Sequence, residues 1–413
     1  MSLLPVEDAI AAILRRVPAP QGESLPLAEA AGRVLFSPVV ARHDQPPFDA
    51  SAMDGYAVRA ADILPGHSLR LIGTSQAGAG FSGTVGTGEA VRIFTGAPVP
   101  AGADAVIMQE DAVVAGEHVS FTSQPQPGRS VRAKGNDFAT GQQLVQAGVR
   151  LTPMQLAVAA AANSPALMVS RRPAIALLAT GDELELPGTP LGPDQIIASN
   201  SFGLAPLLSP YAETLTDHGI ARDNRAQLRA KLQEIFAGEP DILITTGGAS
   251  VGDHDIVQEI LVELGVTLDF WRINMRPGKP LMFGTRGRTL VFGLPGNPVS
   301  AMVTAIVFIK PALRHWVGLA PQPDWQLPLA GPTPANTARS WLCRTFVVAS
   351  SRTMVKAVIR EGSGMLSWSC MFSKFSGTIF STASRICMVP SGLSLSAVMS
   401  MIGPGDMLSF TAV

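Results

Sequence analysis

Cysteine is nearly absent, three in 413 residues with no Cys-x-x-Cys pair, which excludes a disulfide framework and a thiolate zinc or redox centre. Charge is sparse and balanced, 31 Lys plus Arg against 32 Asp plus Glu for a net charge of -1. No global field therefore exists to hold the chain on nucleic acid or an anionic membrane, and the partners to expect are small molecules. The six histidines show no metal-ligand spacing. Long apolar runs are missing as well. The stretches around 154–169 and 299–309 are broken by Asn163-Ser164-Pro165 or end at Lys310, short of the roughly 20 residues that span a bilayer. Glu7 and Asp8 stand where a secretory signal would carry positive charge. A soluble, cytoplasmic protein in a reducing compartment is the expectation.

What the chain has in plenty is Gly (40) and Pro (33), the mark of a loop-rich globular protein. At about 150 residues per domain its length suits about three domains. Behind Pro5, the residues Val6, Ile10, Ile13, Leu14 and Val17 recur at helical spacing and predict an amphipathic helix. From 45 to 138, short β-rich runs at 69–73, 90–94 and 105–109 are separated by Gly, Pro and Asp. Residues 139–170 hold a strand-like piece and an Ala-rich helix from Pro153 to Asn163, the texture of a connector. From 171 onward, strands at 174–179, 241–246 and 289–293 alternate with helices between 200 and 215 and at 225–236, 256–264 and 299–313. That alternation predicts a parallel sheet covered on both faces, with the helix between 200 and 215 kinked or split at Pro206 and Pro210. The last 74 residues hold 15 Ser, 7 of the 15 Met and only two acids, and read either as a small β domain of atypical sequence or as a drifted or frame-shifted stretch of coding sequence.

Gly78-Ala-Gly-Phe-Ser-Gly83 fits the dinucleotide pattern, but Thr84-Val-Gly-Thr-Gly-Glu89 after it cannot start the helix whose N-terminus would hold a pyrophosphate. The strongest local signal is Ile242-Leu-Ile-Thr-Thr-Gly-Gly-Ala-Ser-Val-Gly-Asp-His-Asp255. An apolar strand ends there in hydroxyls and glycines (Thr246, Gly247, Gly248, Ser250) before Asp253 and Asp255. Such glycines admit an anion close to the backbone, at the sheet edge where α/β folds bind ligands, and the acids could hold a divalent cation. The other reading makes an acid the cap of the next helix and the glycines a turn. Leu177-Leu-Ala-Thr-Gly-Asp-Glu183 ends another strand in the same way, with Thr180, Gly181, Asp182 and Glu183. Asp223 precedes a further helix, as site residue or cap. Arg276-Pro-Gly-Lys-Pro280, with Arg272 before it, sets Arg276 and Lys279 in a proline-stiffened loop suited to an oxyanion. Leu294-Pro-Gly-Asn-Pro-Val-Ser300, with Pro295 and Pro298, joins a strand to a helix capped by Asn297. In the β-rich region, Asp54 in Ser51-Ala-Met-Asp-Gly-Tyr-Ala-Val-Arg59 and Thr95 in Arg92-Ile-Phe-Thr-Gly-Ala-Pro-Val-Pro100 each occupy turn-like motifs.

Together, in order and spacing over about 1–335, these runs resemble the molybdopterin molybdenumtransferase family, of the bacterial MoeA and gephyrin E-domain type. The resemblance implies a multidomain α/β plus β chain: an elongated N-terminal connector (1–44 with 139–170), a β-rich inserted domain (45–138), a central three-layer α/β molybdopterin-binding domain with a mostly parallel sheet (171–320) and a small C-terminal β-barrel-like domain (321–413). It implies insertion of molybdenum from molybdate into adenylylated molybdopterin with release of AMP, dependent on Mg²⁺. It further implies a homodimer that works between an upstream adenylyltransferase and acceptor molybdoenzymes. By motif match, Asp54, Thr95, Glu183, Asp223 and Asp255 would be catalytic, with Asp137 near them, and Glu183, Asp253 and Asp255 would hold the metal. Thr180, Gly181, Asp182, Thr246, Gly247, Gly248, Ser250, Arg272, Arg276, Lys279, Pro295, Pro298 and Ser367 would bind substrate, with Ser363 beside the last. Arg272 and Arg276 stand where relatives often carry lysine, and Trp368 to Ser400 departs from the family pattern. The alternatives are a molybdopterin adenylyltransferase, which would consume ATP, and a non-catalytic gephyrin-like scaffold.

Overall fold

The computed structural model describes residues 3–247, 256–275 and 278–320, and beyond them only the strand segments Asp324–Trp325, Val347–Ser350, Thr353–Lys356 and Met399–Ser400. The rest of the expected C-terminal β domain, Ser363 and Ser367 included, lies outside the described residues. The chain forms two compact units: one of Gln21–Arg171, the other joining Met1–Pro20 to the chain from Arg172 onward.

Helix α1 (Val6–Arg16) carries Glu7 and Asp8 in its first turn and Arg15 and Arg16 in its last, the polarity a helix dipole favours. Its apolar face buries Ala9 and Ile13 against the helix that ends at Trp316. The sequence reading grouped this helix with residues 21–44. An amphipathic stripe needs an apolar surface, and here the α/β unit supplies it.

In the first unit, β1 (Gly22–Pro26) precedes a six-stranded sheet of β2 (Gly55–Val58), β3 (Ser68–Ser75), β4 (Glu89–Ile93), β5 (Ala105–Met108), β6 (Ala112–Ala115) and β7 (His118–Phe121). The spatial order is β5-β2-β4-β3-β7-β6, antiparallel throughout except between β3 and β4. Alternate residues fill two cores, with Tyr56, Val58 and Ile107 on one face and Ala57, Val91 and Val106 on the other. The run after Gly78 forms turns and then β4, with no helix at 84–89. Helix α2 (Pro153–Ala161) starts in a capping box between Thr152 and Gln155 with Pro153 in the first turn. Then β8 (Ala166–Ser170) returns antiparallel to β1, so that Leu35, Val39, Val145, Leu167 and Val169 share one core.

The second unit is an α/β sandwich. Its strands are β9 (Ala174–Thr180), β10 (Thr214–Ala221), β11 (Ile242–Thr246), β12 (Thr267–Arg272), β13 (Pro280–Arg286) and β14 (Thr289–Leu294), in the order β10-β9-β11-β14-β13-β12. The first four run parallel, and β13 and β12 add antiparallel. Helices α4 (Arg225–Ala237) and α5 (Ile256–Glu263) bury Leu228, Leu232, Val257 and Ile260 on Ala176, Leu178, Leu243 and Val291. Helix α3 (Asn200–Leu208) packs on β9 and on α6 (Pro298–Thr304), which also meets β14. Ile175 and Leu177, turned to the opposite face from Ala176 and Leu178 by strand alternation, are equally buried.

Three strands escape the sequence pattern. β10 and β12 lie at the two edges of the sheet, with mostly half-exposed residues, so neither shows the apolar run of a buried parallel strand. β13 is interior but begins inside the Arg276–Pro280 motif, which reads as loop. The helix expected between 200 and 215 ends at Leu208, and a 3-10 turn at Ser209–Tyr211 with Pro210 in its first turn leads into β10. The helix expected over 299–313 becomes α6, a π turn at Ala305–Ile309 and α7 (Lys310–Trp316). The wide turn comes just before Pro311, whose missing amide cannot close an α-helical bond.

Candidate active site

In the α/β unit, β9 leads to β10 on one side, and the chain then crosses to β11 on the other. Sheets of this order bind ligands at the switch between such strands, beyond their carboxyl ends. Thr180-Gly181-Asp182-Glu183 and Thr246-Gly247 lie at that switch. Thr180 is 2 % exposed and Thr246 5 %, and the Thr180 hydroxyl donates to the Thr246 carbonyl at 3.3 Å, so the hydroxyl ties the two strand ends together. Gly247 has φ +90°, and a Cβ there would lie 2.2 Å from the Thr180 carbonyl oxygen. Only glycine lets the strands close at this point. The Gly247 amide donates to Leu294 O at 3.2 Å and the Gly181 amide to Ala221 O at 3.1 Å. Gly247 therefore gives close backbone approach, a Cβ at Gly181 would meet the Glu183 side chain, and the N–H groups of both serve the neighbouring strands.

Next to them, the β14–α6 loop brings Pro295 and Pro298 to the same edge. Asn297 Oδ1 caps α6 through the Ser300 amide at 3.1 Å, with Pro298 in the first turn. Asn200, at the start of α3, donates from Nδ2 to Gly296 O at 2.9 Å, and its buried Oδ1 has no hydrogen-bond partner.

Three acids gather on the β9–β10 side. Asp182 Oδ1 accepts the Asp223 amide at 2.9 Å. Burial first, then the charges of Asp182 and Glu183, push the Asp223 carboxyl above the ordinary carboxylate range, against a lowering hydrogen bond with the Asp182 backbone. Glu183 is exposed. On the far side of the switch, Arg272 ends β12 and Lys279 precedes β13. Because β13 runs antiparallel, both reach the same carboxyl edge, and the Ile273 amide donates to Lys279 O at 3.0 Å to close the loop between them. The Arg272 guanidinium lies 4.9 Å from the Trp271 ring centroid, which limits its rotamers. The edge is thus polarised, with acids beyond β9 and β10 and cations beyond β12 and β13.

In the other unit the structure brings Asp54 and Thr95 into contact. Asp54 Oδ1 accepts both the amide and the hydroxyl of Thr95 at 2.7 Å. These two bonds, and then the Arg92 charge, hold the Asp54 carboxyl below its ordinary range. Asp137 is held by Arg132 at 2.7 and 2.8 Å.

Two family descriptions match, "MoeA N-terminal region (domain I and II)" over residues 4–163 and "Probable molybdopterin binding domain" over 176–315. Curated molybdopterin molybdenumtransferases align over most of their length. The one from Nostoc is 40% identical over 72% of this chain and 70% of the relative, and that of Haemophilus influenzae is 36% identical over 79% and 80%. The chain belongs to the molybdopterin molybdenumtransferase family. A crystal structure of a molybdopterin biosynthesis moeA protein from Pyrococcus horikoshii superimposes with TM-score 0.69 at 32% identity, covering 77% of this chain and 81% of that one. A second, from Pyrococcus horikoshii OT3, gives TM-score 0.70 at 27% identity over 88% and 92%.

For this family member, Gly248, Ser250, Asp253, Asp255, Arg276 and Ser367 fall outside the described residues. Among the described residues, no group of three His, Cys, Asp or Glu side chains is placed to hold a metal ion, and Glu183 alone represents the expected metal set. No helix among the described residues is long and apolar enough to cross a membrane. Sequence reasoning passed over Asn200 and Arg222. Asn200 gave no signal, since its place at the edge follows from the turn of α3. Arg222 stood beside Asp223, but a residue that grips another strand's loop has no local pattern.

Proposed function

We propose that this chain inserts molybdenum from molybdate into adenylylated molybdopterin, releasing AMP, as the final step of molybdenum-cofactor biosynthesis. Family membership supports the overall reaction, and the polarised sheet edge supports the division of labour. Arg272 and Lys279, with Arg276, hold the oxyanion, for which a guanidinium fork and a neighbouring ammonium are suited. Strand spacing of about 4.8 Å separates the cations near β13 from the acids beyond β9 by about 14 Å, room for an extended pterin nucleotide across the Gly247 switch. There Asp182, Glu183 and Asp223 face the phosphoanhydride, and Asp223 with its raised pKa can accept a proton or give one to a departing phosphate oxygen. Asp54 and Thr95 are assigned to the same reaction by motif, in a homodimer.

Carboxylate oxygens suit Mg²⁺ in chemistry, but the described residues do not assemble a site for it. The experiment compares wild type with Glu183→Ala and with Arg272→Ala/Lys279→Ala. Glu183→Ala should bind the pterin nucleotide and release no AMP. The double variant should bind pterin normally while its KM for molybdate rises about tenfold or more. Wild-type kinetics in both would refute the assignment.

A further inference from the structure

Arg222 follows β10 and reaches across to the loop after β9. Its Nη1 donates to the carbonyls of Asp182 at 2.7 Å and Leu184 at 2.9 Å, and its Nη2 donates to Glu185 Oε1 at 2.7 Å. Glu185 Oε1 also accepts from Gln195 Nε2 at 2.9 Å, and Gln195 Oε1 accepts the Gly192 amide at 2.9 Å. On its other side the same loop pairs in parallel with Ile196–Ile197, as the Ile196 amide donates to Glu183 O and the Ala198 amide to Glu185 O, both at 2.8 Å. The loop bearing Asp182 and Glu183 is therefore laced from both sides. The Asp223 amide on Asp182 Oδ1 adds a return stitch from the residue beside Arg222.

The direction of the guanidinium matters more than its presence. Arg222 lies among three acids, yet the N–H donors it engages go to two carbonyls and to Glu185, and none of these bonds is to the carboxylate of Asp182, Glu183 or Asp223. Asp182, Glu183 and Asp223 keep their charges unneutralised by it.

Resting on the function proposed above, we propose that Arg222, anchored by Glu185, is a positioning residue. It fixes the Asp182–Glu185 loop so that Asp182 and Glu183 stand beside Asp223 at the reacting phosphate, and it does not touch the substrate. Lysine carries its three donors on one nitrogen and cannot place them at the two separate positions that Nη1 and Nη2 of Arg222 hold. Displacement of a reacting group by about 1 Å costs up to about 100-fold in rate.

The test uses the full-length chain, its Arg222→Gln, Arg222→Lys and Glu185→Gln variants and the Arg222→Gln/Glu185→Gln double variant. Two readouts are taken: steady-state transfer kinetics, and hydrogen exchange at the amides of Ile196, Ala198 and Asp223. We expect kcat to fall about tenfold or more in Arg222→Gln with KM for the pterin nucleotide within about threefold. Arg222→Lys should fail to restore it, Glu185→Gln should fall in the same direction, and the double variant should lose less than the two single losses combined. Exchange at the three amides should quicken in each variant while the core of the sheet stays protected. A rise in KM with kcat unchanged, or full rescue by lysine, would make Arg222 a substrate ligand and overturn the proposal. So would unchanged exchange and kinetics. If Arg222→Gln does not fold, Arg222→Lys and Glu185→Gln carry the same two readouts. A wild type without transfer but with protected amides that quicken in the variants would overturn the proposed function and leave the loop anchor standing.

Discussion

At Asp223 the raised carboxyl has a sign that can be tested. Its folded pKa lies above the unfolded one, so the folded state holds the proton more tightly, and stability is lost as pH rises from the ordinary carboxylate range through the raised value. Asp223→Asn should therefore increase Tm at neutral pH while lowering transfer activity; a lower Tm would contradict the reading of Asp223 as a crowded acid kept for chemistry. Asp54 runs the other way. The Thr95 bonds depress its pKa, so its contribution is present above the unfolded value and is lost as pH falls through the folded one. The Tm difference between wild type and Asp54→Asn should narrow as pH falls below the ordinary carboxylate range, and a gap that stays constant would show that the Thr95 bonds do not depend on the charge. The sequence located these residues but not their relations. The Thr180-Gly181-Asp182-Glu183 run was legible as a strand end, whereas the contact of Asp54 with Thr95, 41 positions away, follows from the pairing of β2 with β4.

Helix α4 stands behind Asp223 and joins α5 in two ways of different strength. Arg225 and Arg229 meet Glu259 and Glu263 in ion pairs whose side chains are 37 to 49% exposed, and beneath them Leu228, Leu232, Ile260 and Leu261 are fully buried. Exposed ion pairs contribute about 0–1 kcal/mol, whereas a Leu-to-Ala change in a packed core costs about 2–5 kcal/mol. Arg225→Ala should accordingly shift denaturant unfolding by less than about 1 kcal/mol and Leu232→Ala by more than about 2 kcal/mol; the reverse order would mean that the ion pairs hold the helices together. At this scale periodicity read well wherever burial was two-sided, as in β9 and β11. It failed at β10 and β12, because an edge strand of a covered sheet keeps one margin in water and breaks the apolar run. In the stretch from 200 to 215 the break falls at the 3-10 turn that carries Pro210, while Pro206 is tolerated inside α3.

The whole molecule separates an α/β unit, whose carboxyl edge is polarised, from a β-rich unit that carries the Asp54–Thr95 pair. The proposed assignment of the two sets of residues to one reaction rests on ordered motifs along the chain, since no local spacing joins Thr95 to Glu183. Molybdate, and not ATP, is the proposed co-substrate of the edge that holds Arg272 and Lys279. The most direct test supplies purified full-length protein with adenylylated molybdopterin, with and without molybdate, and follows AMP release together with activation of a cofactor-free molybdoenzyme. The expected result is AMP release that depends on molybdate and rises in step with activation of the acceptor. AMP release indifferent to molybdate, or formation of adenylylated molybdopterin from ATP and free pterin in its place, would contradict it.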